Sequence, residues 1–505
     1  MKNNLLKILA LVLVCTTSYG QKTDAYGGFS DIKGEKTGFF HTEKIKNRWM
    51  LVSPEGNGFY GIGIAHPITG FTQSAVHFTY GGNQEAWFKG TIQRMRDLGY
   101  NCLWSGPYCP ERLQSDFVDK ALARKVFREA KIPYVFPLPL VKHFVELKDG
   151  EERPDVFDEE YSQFVNEMAA EFVPELKNDP WVMGYYYGFG SFDQESNWIN
   201  ETINRKDSPG RERLIGILEA NYKGDIKKLN SVYGTSFSSF KKLKKNGSLV
   251  FPRWIKQVKL GRKTIPKTSG AKEIFRDGED LLGEIIAQVY RLGYEAIRKY
   301  DTNHMIYGSY VKEATLTTEM WQRVAPYIDV IAPQHVSKVF PIEPIVKLLG
   351  KPALISDQPL GNVYSPTLLI AKAAHGPVPG HTDRLVLMDI LADRISKSPD
   401  YIGIEYCGVL FDQSHPNKAY ELGQPGFFTI EGEAKQPLCK TAKKINTRIF
   451  ENVQTAPDVE TSKALDHKYH ETLQSYQSVM NDRKALLKKY PANEYPKEFS
   501  CHEDH

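Results

Sequence analysis

From Trp49 onward, short apolar runs alternate with amphipathic segments, and this rhythm limits the fold more than any other feature of the chain. Strands that are apolar on both faces must be covered on both, so the alternation predicts repeated βα units around a parallel sheet. Runs at 59–65, 100–104, 132–137, 181–187, 305–310, 327–332, 352–356 and 401–406 read as strands. Helices are expected at 92–98, 117–130, 157–176 and 281–300. Gly99 supplies a helix stop, the acids from Asp158 to Glu160 suit a helix start, and Pro180 breaks what precedes it. Eight strands with intervening helices predict an α/β fold, a (β/α)8 TIM barrel with its active site at the C-terminal strand ends. Residues 197–268 are irregular, Lys-rich and helical in parts, and read as a long insertion near the barrel mouth. The expected division is a signal peptide at 1–20, a barrel catalytic domain at 21–452 that contains the insertion, and a charged helical C-terminal extension at 453–505. The last five residues, Cys501 to His505, read as a tail rather than a metal site.

The start of the chain carries Lys2 and Lys7, an apolar run at 8–14 and a small-residue site ending in Gly20. That order predicts a leader cleaved after Gly20 and a secreted or periplasmic protein; the run is too short to span a bilayer. Beyond the leader there are five cysteines, Cys102, Cys109, Cys407, Cys439 and Cys501, without metal-type spacing. Cys102 either pairs with Cys109 or is plain core. The net charge is +4 with Lys and Arg scattered, which excludes a nucleic-acid groove. Aromatic residues make up 12% of the chain, which suits sugar faces but more readily fills a large core. No cofactor and no metal is expected; the expected partner is an oligosaccharide or polysaccharide.

Several motifs resemble one family. Residues 47–56 running into Phe59-Tyr-Gly-Ile-Gly63, and the Leu98-Gly-Tyr-Asn101 segment before an aromatic strand end, resemble the opening of agarase-type and β-galactosidase-type clan A glycoside hydrolases. Residues 229–237 resemble a later segment of those enzymes, with Tyr233 where they carry tryptophan. The resemblance spans roughly residues 45–450 and implies a barrel with paired catalytic glutamates. Retaining hydrolysis needs two carboxyl groups roughly 5–5.5 Å apart. At the acid position this chain has Gly190, and at the nucleophile position the shorter Asp357. Asp193 and Glu195 follow the fourth strand and are candidates for a displaced acid.

The strand ends offer phenol and imidazole in place of that pair. Tyr185, Tyr186 and Tyr187 approach the end of the fourth strand, where alternation turns only one parity inward. His335 ends the sixth strand and is the expected catalytic group, with Tyr187 and Asp357 beside it. His66, Trp104, Lys142, His143, Tyr310, Gln334 and His415 are the expected substrate-binding residues. Glu405, inside the eighth strand, is equally well a structural acid or a catalytic one. Imidazole and phenol suit proton transfer, so the leading expectation is a carbon–oxygen lyase. It would act by β-elimination at a non-reducing-end uronate, whose carboxylate Gln334, Lys142 or Lys312 would neutralise. A secreted protein on this scaffold resembles the oligosaccharide dehydratase type of marine ulvan degraders. The alternatives are a glycoside hydrolase using Asp357 with Asp193 or Glu195, and a barrel that only binds glycan.

Overall fold

The computed structural model describes residues 22–65, 67–68, 73–104, 117–148, 153–187, 195–259, 263–312, 317–334, 342–359, 362–363, 377–407, 410–412 and 426–489. The chain opens with a four-stranded antiparallel sheet made of β1 (Phe29–Lys33), β2 (His41–Ile45), β3 (Arg48–Val52) and β4 (Asn57–Phe59), in the order β1-β4-β3-β2. Asp24 fastens its edge, accepting from the main-chain N–H groups of Tyr26 (2.9 Å) and Gly28 (2.8 Å) and from Asn57 Nδ2 (2.7 Å). No sequence motif announced this sheet.

Seven parallel strands form the central sheet: β5 (Gly61–Ile64), β6 (Tyr134–Pro137), β7 (Val182–Tyr186), β8 (Met305–Lys312), β9 (Val330–Gln334), β10 (Ala353–Pro359) and, after the small ribbon β11 (Asn362–Val363) and β12 (Pro377–Val378), β13 (Tyr401–Cys407). Their order is β5-β13-β10-β9-β8-β7-β6, a curled sheet of the TIM-barrel type. The stretch expected as the second strand contributes one isolated bridge, Leu103 with Tyr134. It nevertheless links the two edges, since Asn101 N–H donates to Ile62 O (2.9 Å) and Val135 N–H to Leu103 O (2.8 Å). The Asn101 side chain substitutes for a missing peptide group, accepting from Ile62 N–H (2.7 Å) and donating to Tyr60 O (2.9 Å).

Two apolar clusters lie on the two faces of this sheet. The inner one joins Val135, Met183, Met305, Val330, Leu354 and Ile402 to Phe40, Leu51 and Phe59 of the N-terminal sheet region, which closes the end where the strands begin. Arg48 secures that closure by donating to Ser396 O and Ser398 O, both at 2.7 Å. The outer cluster binds the helices.

Helices α1 (Gln73–Tyr80), α2 (Gln84–Asp97) and α3 (Lys120–Glu129) precede β6; α4 (Leu140–Leu147) and α5 (Glu159–Leu176) precede β7. Asn83, Asp119 and Asp158 cap α2, α3 and α5 with their side-chain oxygens. The Lys-rich region folds as α6 (Glu195–Asn204), α7 (Pro209–Asn221), α8 (Ile226–Tyr233), α9 (Phe240–Asn246) and α10 (Trp254–Lys259), followed by the long α11 (Ala271–Arg298). Buried Asp277 of α11 holds α7 and α8 in place, accepting from Tyr222 Oη (2.7 Å) and Tyr233 Oη (3.0 Å). Then come α12 (Thr318–Val324), α13 (Ile342–Leu349), α14 (His381–Lys397), α15 (Gln436–Val453) and α16 (Val459–Lys489). The charged C-terminal helix is no loose tail: Ser462 Oγ donates to Arg394 O (2.8 Å), and Arg394 Nε meets Asp466 at 2.6 Å.

Candidate active site

β10 carries the carboxyl group that the sequence singled out. Ile355 stands opposite Ile404 and Gln358 opposite Tyr406, so three steps along β10 answer two along β13. One residue too many in a strand makes a bulge, which bends the strand and re-aims a side chain. The surplus falls at Ser356-Asp357. Ser356 Oγ donates to Ala332 O (3.2 Å) and Pro333 O (3.1 Å), tying the bulge to β9. Asp357 adopts a left-handed backbone, φ +45°, and is 1% exposed. Its N–H donates to Glu405 Oε2 at 3.0 Å.

Glu405 enters from β13, fully buried. Its neighbours Ile404 and Tyr406 belong to the outer cluster, which turns Glu405 inward, in register with Gly63 of β5. Burial first, and the nearby Glu405 charge second, raise the Cys102 thiol well above its ordinary range, consistent with a carboxylate beside the inner wall. Next along β10, the Gln358 side chain donates to Tyr469 Oη of α16 at 3.2 Å. Among the described residues no group of three His, Cys, Asp or Glu side chains is arranged to hold a metal.

The structure separates the expected site residues. Trp104 is a core residue of the inner cluster: its Nε1–H donates to Ile404 O (3.1 Å) and its ring lies over Gly61, Gly63 and Gly403. Tyr187 faces outward, against Tyr290 (5.2 Å between ring centres) and Gly293 of α11, which corrects the catalytic role expected of it. Burial drives its phenol far above the usual range. Tyr185 also faces out, donating to Asp301 Oδ2 at 2.6 Å. The inward member of the triplet is Tyr186. A register shift at β7, with Gly184 at φ +147°, breaks the simple alternation between Met183 and Tyr186. The glycine beside the triplet was the only sequence signal for this. His143 sits on α4 with its ring 5.9 Å from Phe164 of α5, and Lys142 precedes it on the same helix. Gln334 and Tyr310 lie on β9 and β8, their side chains outside the described set; so do His66, His335, His415, Gly190 and Asp193, and the side chain of Glu195, which opens α6. Of Cys102 and Cys109, only Cys102 is described, as a free thiol in the inner core.

No protein-family profile matches the chain. Beta-agarase B of Vibrio sp. (strain JT0107) is 22% identical over 536 residues, covering 88% of this chain and 51% of that protein. The chain therefore spans about half the length of this curated relative. An exo-β-agarase structure superimposes with a TM-score of 0.62 at 19% identity, over 86% of this chain and 68% of the other. The agarase AgWH50C gives a TM-score of 0.62 at 17% identity over the same shares. This is a glycoside hydrolase-like fold. The expected lyase is corrected by the same finding: Beta-agarase B and the two superimposed structures are agarases by name, which points to a hydrolase rather than a lyase. Neither the dehydratase type nor an ulvan substrate finds support in them. No helix among the described residues is long and apolar enough to cross a membrane, and residues 1–21, with the expected leader, lie outside the described set.

Proposed function

We propose that this chain hydrolyses a glycosidic bond in an agar-type polysaccharide, with Asp357 as nucleophile and Glu195 or Asp193 as the proton donor. The observation that carries the reading is Asp357: a buried carboxyl-bearing residue in a left-handed bulge at the C-terminal end of a parallel strand. Strained non-glycine backbone persists where the surroundings hold it, and it clusters at active sites. In a barrel-type sheet the C-terminal strand ends are where catalytic groups converge. The agarase relatives support the substrate class.

In this reading the segment 101–104 completes an eight-membered ring of strands. The Asp357 carboxylate attacks the anomeric carbon while the acid protonates the departing glycosidic oxygen. Water then hydrolyses the glycosyl ester, returning a proton to the same acid. His66, His335, His415, Lys142, His143, Gln334, Tyr310 and the inward Tyr186 serve as hydrogen-bonding partners for sugar hydroxyls, and His335 no longer acts as an elimination base. Export to the periplasm or medium belongs to the same reading.

The test is incubation with agarose oligosaccharides, following new reducing ends. Asp357→Ala should abolish turnover, at least about a thousandfold in kcat, and azide should restore part of the bond cleavage by replacing the nucleophile, its product a glycosyl azide without a reducing end that mass spectrometry follows. Undiminished turnover in a folded Asp357→Ala protein would overturn the assignment.

A further inference from the structure

The bulge in β10 creates a difficulty that the chain must solve. An extra strand residue leaves a main-chain N–H outside the ladder, and a left-handed backbone at a residue with a Cβ costs roughly 1–2 kcal/mol. Both penalties fall on Asp357. The orphan N–H is taken by a carboxylate oxygen, Glu405 Oε2 at 3.0 Å, rather than by a backbone carbonyl. A buried donor needs a partner, and a charged acceptor makes a stronger bond than a neutral one. The following residue is held from the other side, because the Gln358 amide donates to Tyr469 Oη at 3.2 Å and both residues are 2% exposed. Glu405 comes from the neighbouring strand and Tyr469 from the C-terminal helix, more than a hundred residues along the chain.

We infer that Glu405 and Tyr469 are positioning residues that clamp the β10 bulge and so fix where the Asp357 carboxyl points. The inference rests on the reading of Asp357 as the catalytic carboxylate and goes beyond it in giving the interior acid and the C-terminal helix defined work. An aspartate reaches one methylene less far than a glutamate, so its direction must come from the backbone. A misplacement near 1 Å can cost about a hundredfold in rate. Glu405 touches the main chain of Asp357, not the bond to be cleaved.

The experiment compares Glu405→Gln, Glu405→Leu, Tyr469→Phe and Asp357→Ala in the full chain, with agarose oligosaccharides as the probe and circular dichroism to confirm folding. Glu405→Gln keeps an acceptor oxygen and should keep kcat within about tenfold. It should also move the acidic limb of the pH–rate profile to lower pH, because a neighbouring negative charge has gone. Glu405→Leu should lower kcat by about a hundredfold with KM nearly unchanged. Tyr469→Phe takes a hydrogen-bond partner from the Gln358 amide and should lower kcat several-fold, with a modest loss of stability that leaves the protein folded at the assay temperature. If Glu405→Leu does not fold, the other two variants decide. A loss in Glu405→Gln as deep as in Asp357→Ala would make Glu405 a reacting group and overturn the positioning role. So would full kcat and an unmoved pH profile in Glu405→Gln and Tyr469→Phe while Asp357→Ala is dead. Activity in Asp357→Ala would instead remove the underlying reading, a separate outcome.

Discussion

A methyl group added at Gly61, Gly63 or Gly403 would lie 2.1, 2.7 or 2.5 Å from an atom of the Trp104 ring. Two strands, β5 and β13, therefore surrender three side chains to one indole on the inner face of the sheet. Gly61→Ala should destabilise the fold by about 1–3 kcal/mol through overpacking, and Trp104→Ala by about 3–5 kcal/mol through the cavity left behind. Denaturant titration of both variants checks this, and a Trp104→Ala protein as stable as the parent would contradict the packing role. In the sequence, Trp104 read as a substrate-binding residue because an aromatic at a strand end looks the same whether it meets a ligand or a glycine. Asp357 was legible as a residue of interest, but its conformation was not. Nothing in Leu354-Ile-Ser-Asp357 announces a bulge.

At the level of elements, most of the parallel strands were readable from apolar runs, and their ends shifted by only a few residues. What failed was parity. Counting alternate residues assumes an unbroken pleat, and β7 and β10 both break it. Tyr186 thereby replaced its neighbours as the inward tyrosine. The insertion was read as only partly helical, and it is a set of helices fastened by single buried groups. Arg211, 3% exposed, donates to the carbonyls of Leu243 (2.7 Å), Lys244 (2.7 Å) and Gly247 (2.6 Å), closing the end of α9 against α7. Replacing it with methionine strands those carbonyls, and each buried orphan costs roughly 1–3 kcal/mol. Arg211→Met should speed amide exchange across α7 and α9 while the central strands keep their protection. Uniform loss of protection would show that the insertion is not a separable unit.

For the whole molecule, acid tolerance is set partly beneath the sheet. Asp301 is buried, and burial alone would raise its carboxyl; the His304 hydrogen bond and charge, the Tyr185 hydroxyl and the Asn303 N–H together lower it from 3.8 to about 2. A carboxyl held below its unfolded value stabilises the fold above pH 3.8 and loses that contribution as pH falls through about 2. The shift corresponds to about 2 kcal/mol. Asp301→Asn should therefore lower stability at neutral pH and flatten its decline between pH 4 and pH 2, roughly the window over which the native group titrates, read from urea midpoints at a series of pH values. An unchanged slope would show that other carboxyls govern acid unfolding.

The N-terminal antiparallel sheet has a consequence for traffic. Phe40, Leu51 and Phe59 pack the end where the strands begin, so among the described residues a site at the opposite strand ends is open to solvent from one side alone. Under the proposed hydrolysis, a sugar cut at the rim must retreat the way it came, past any newcomer. Accumulated product should then compete directly with fresh substrate, raising KM without touching kcat in steady-state assays. Purely noncompetitive inhibition would mean that a second exit exists.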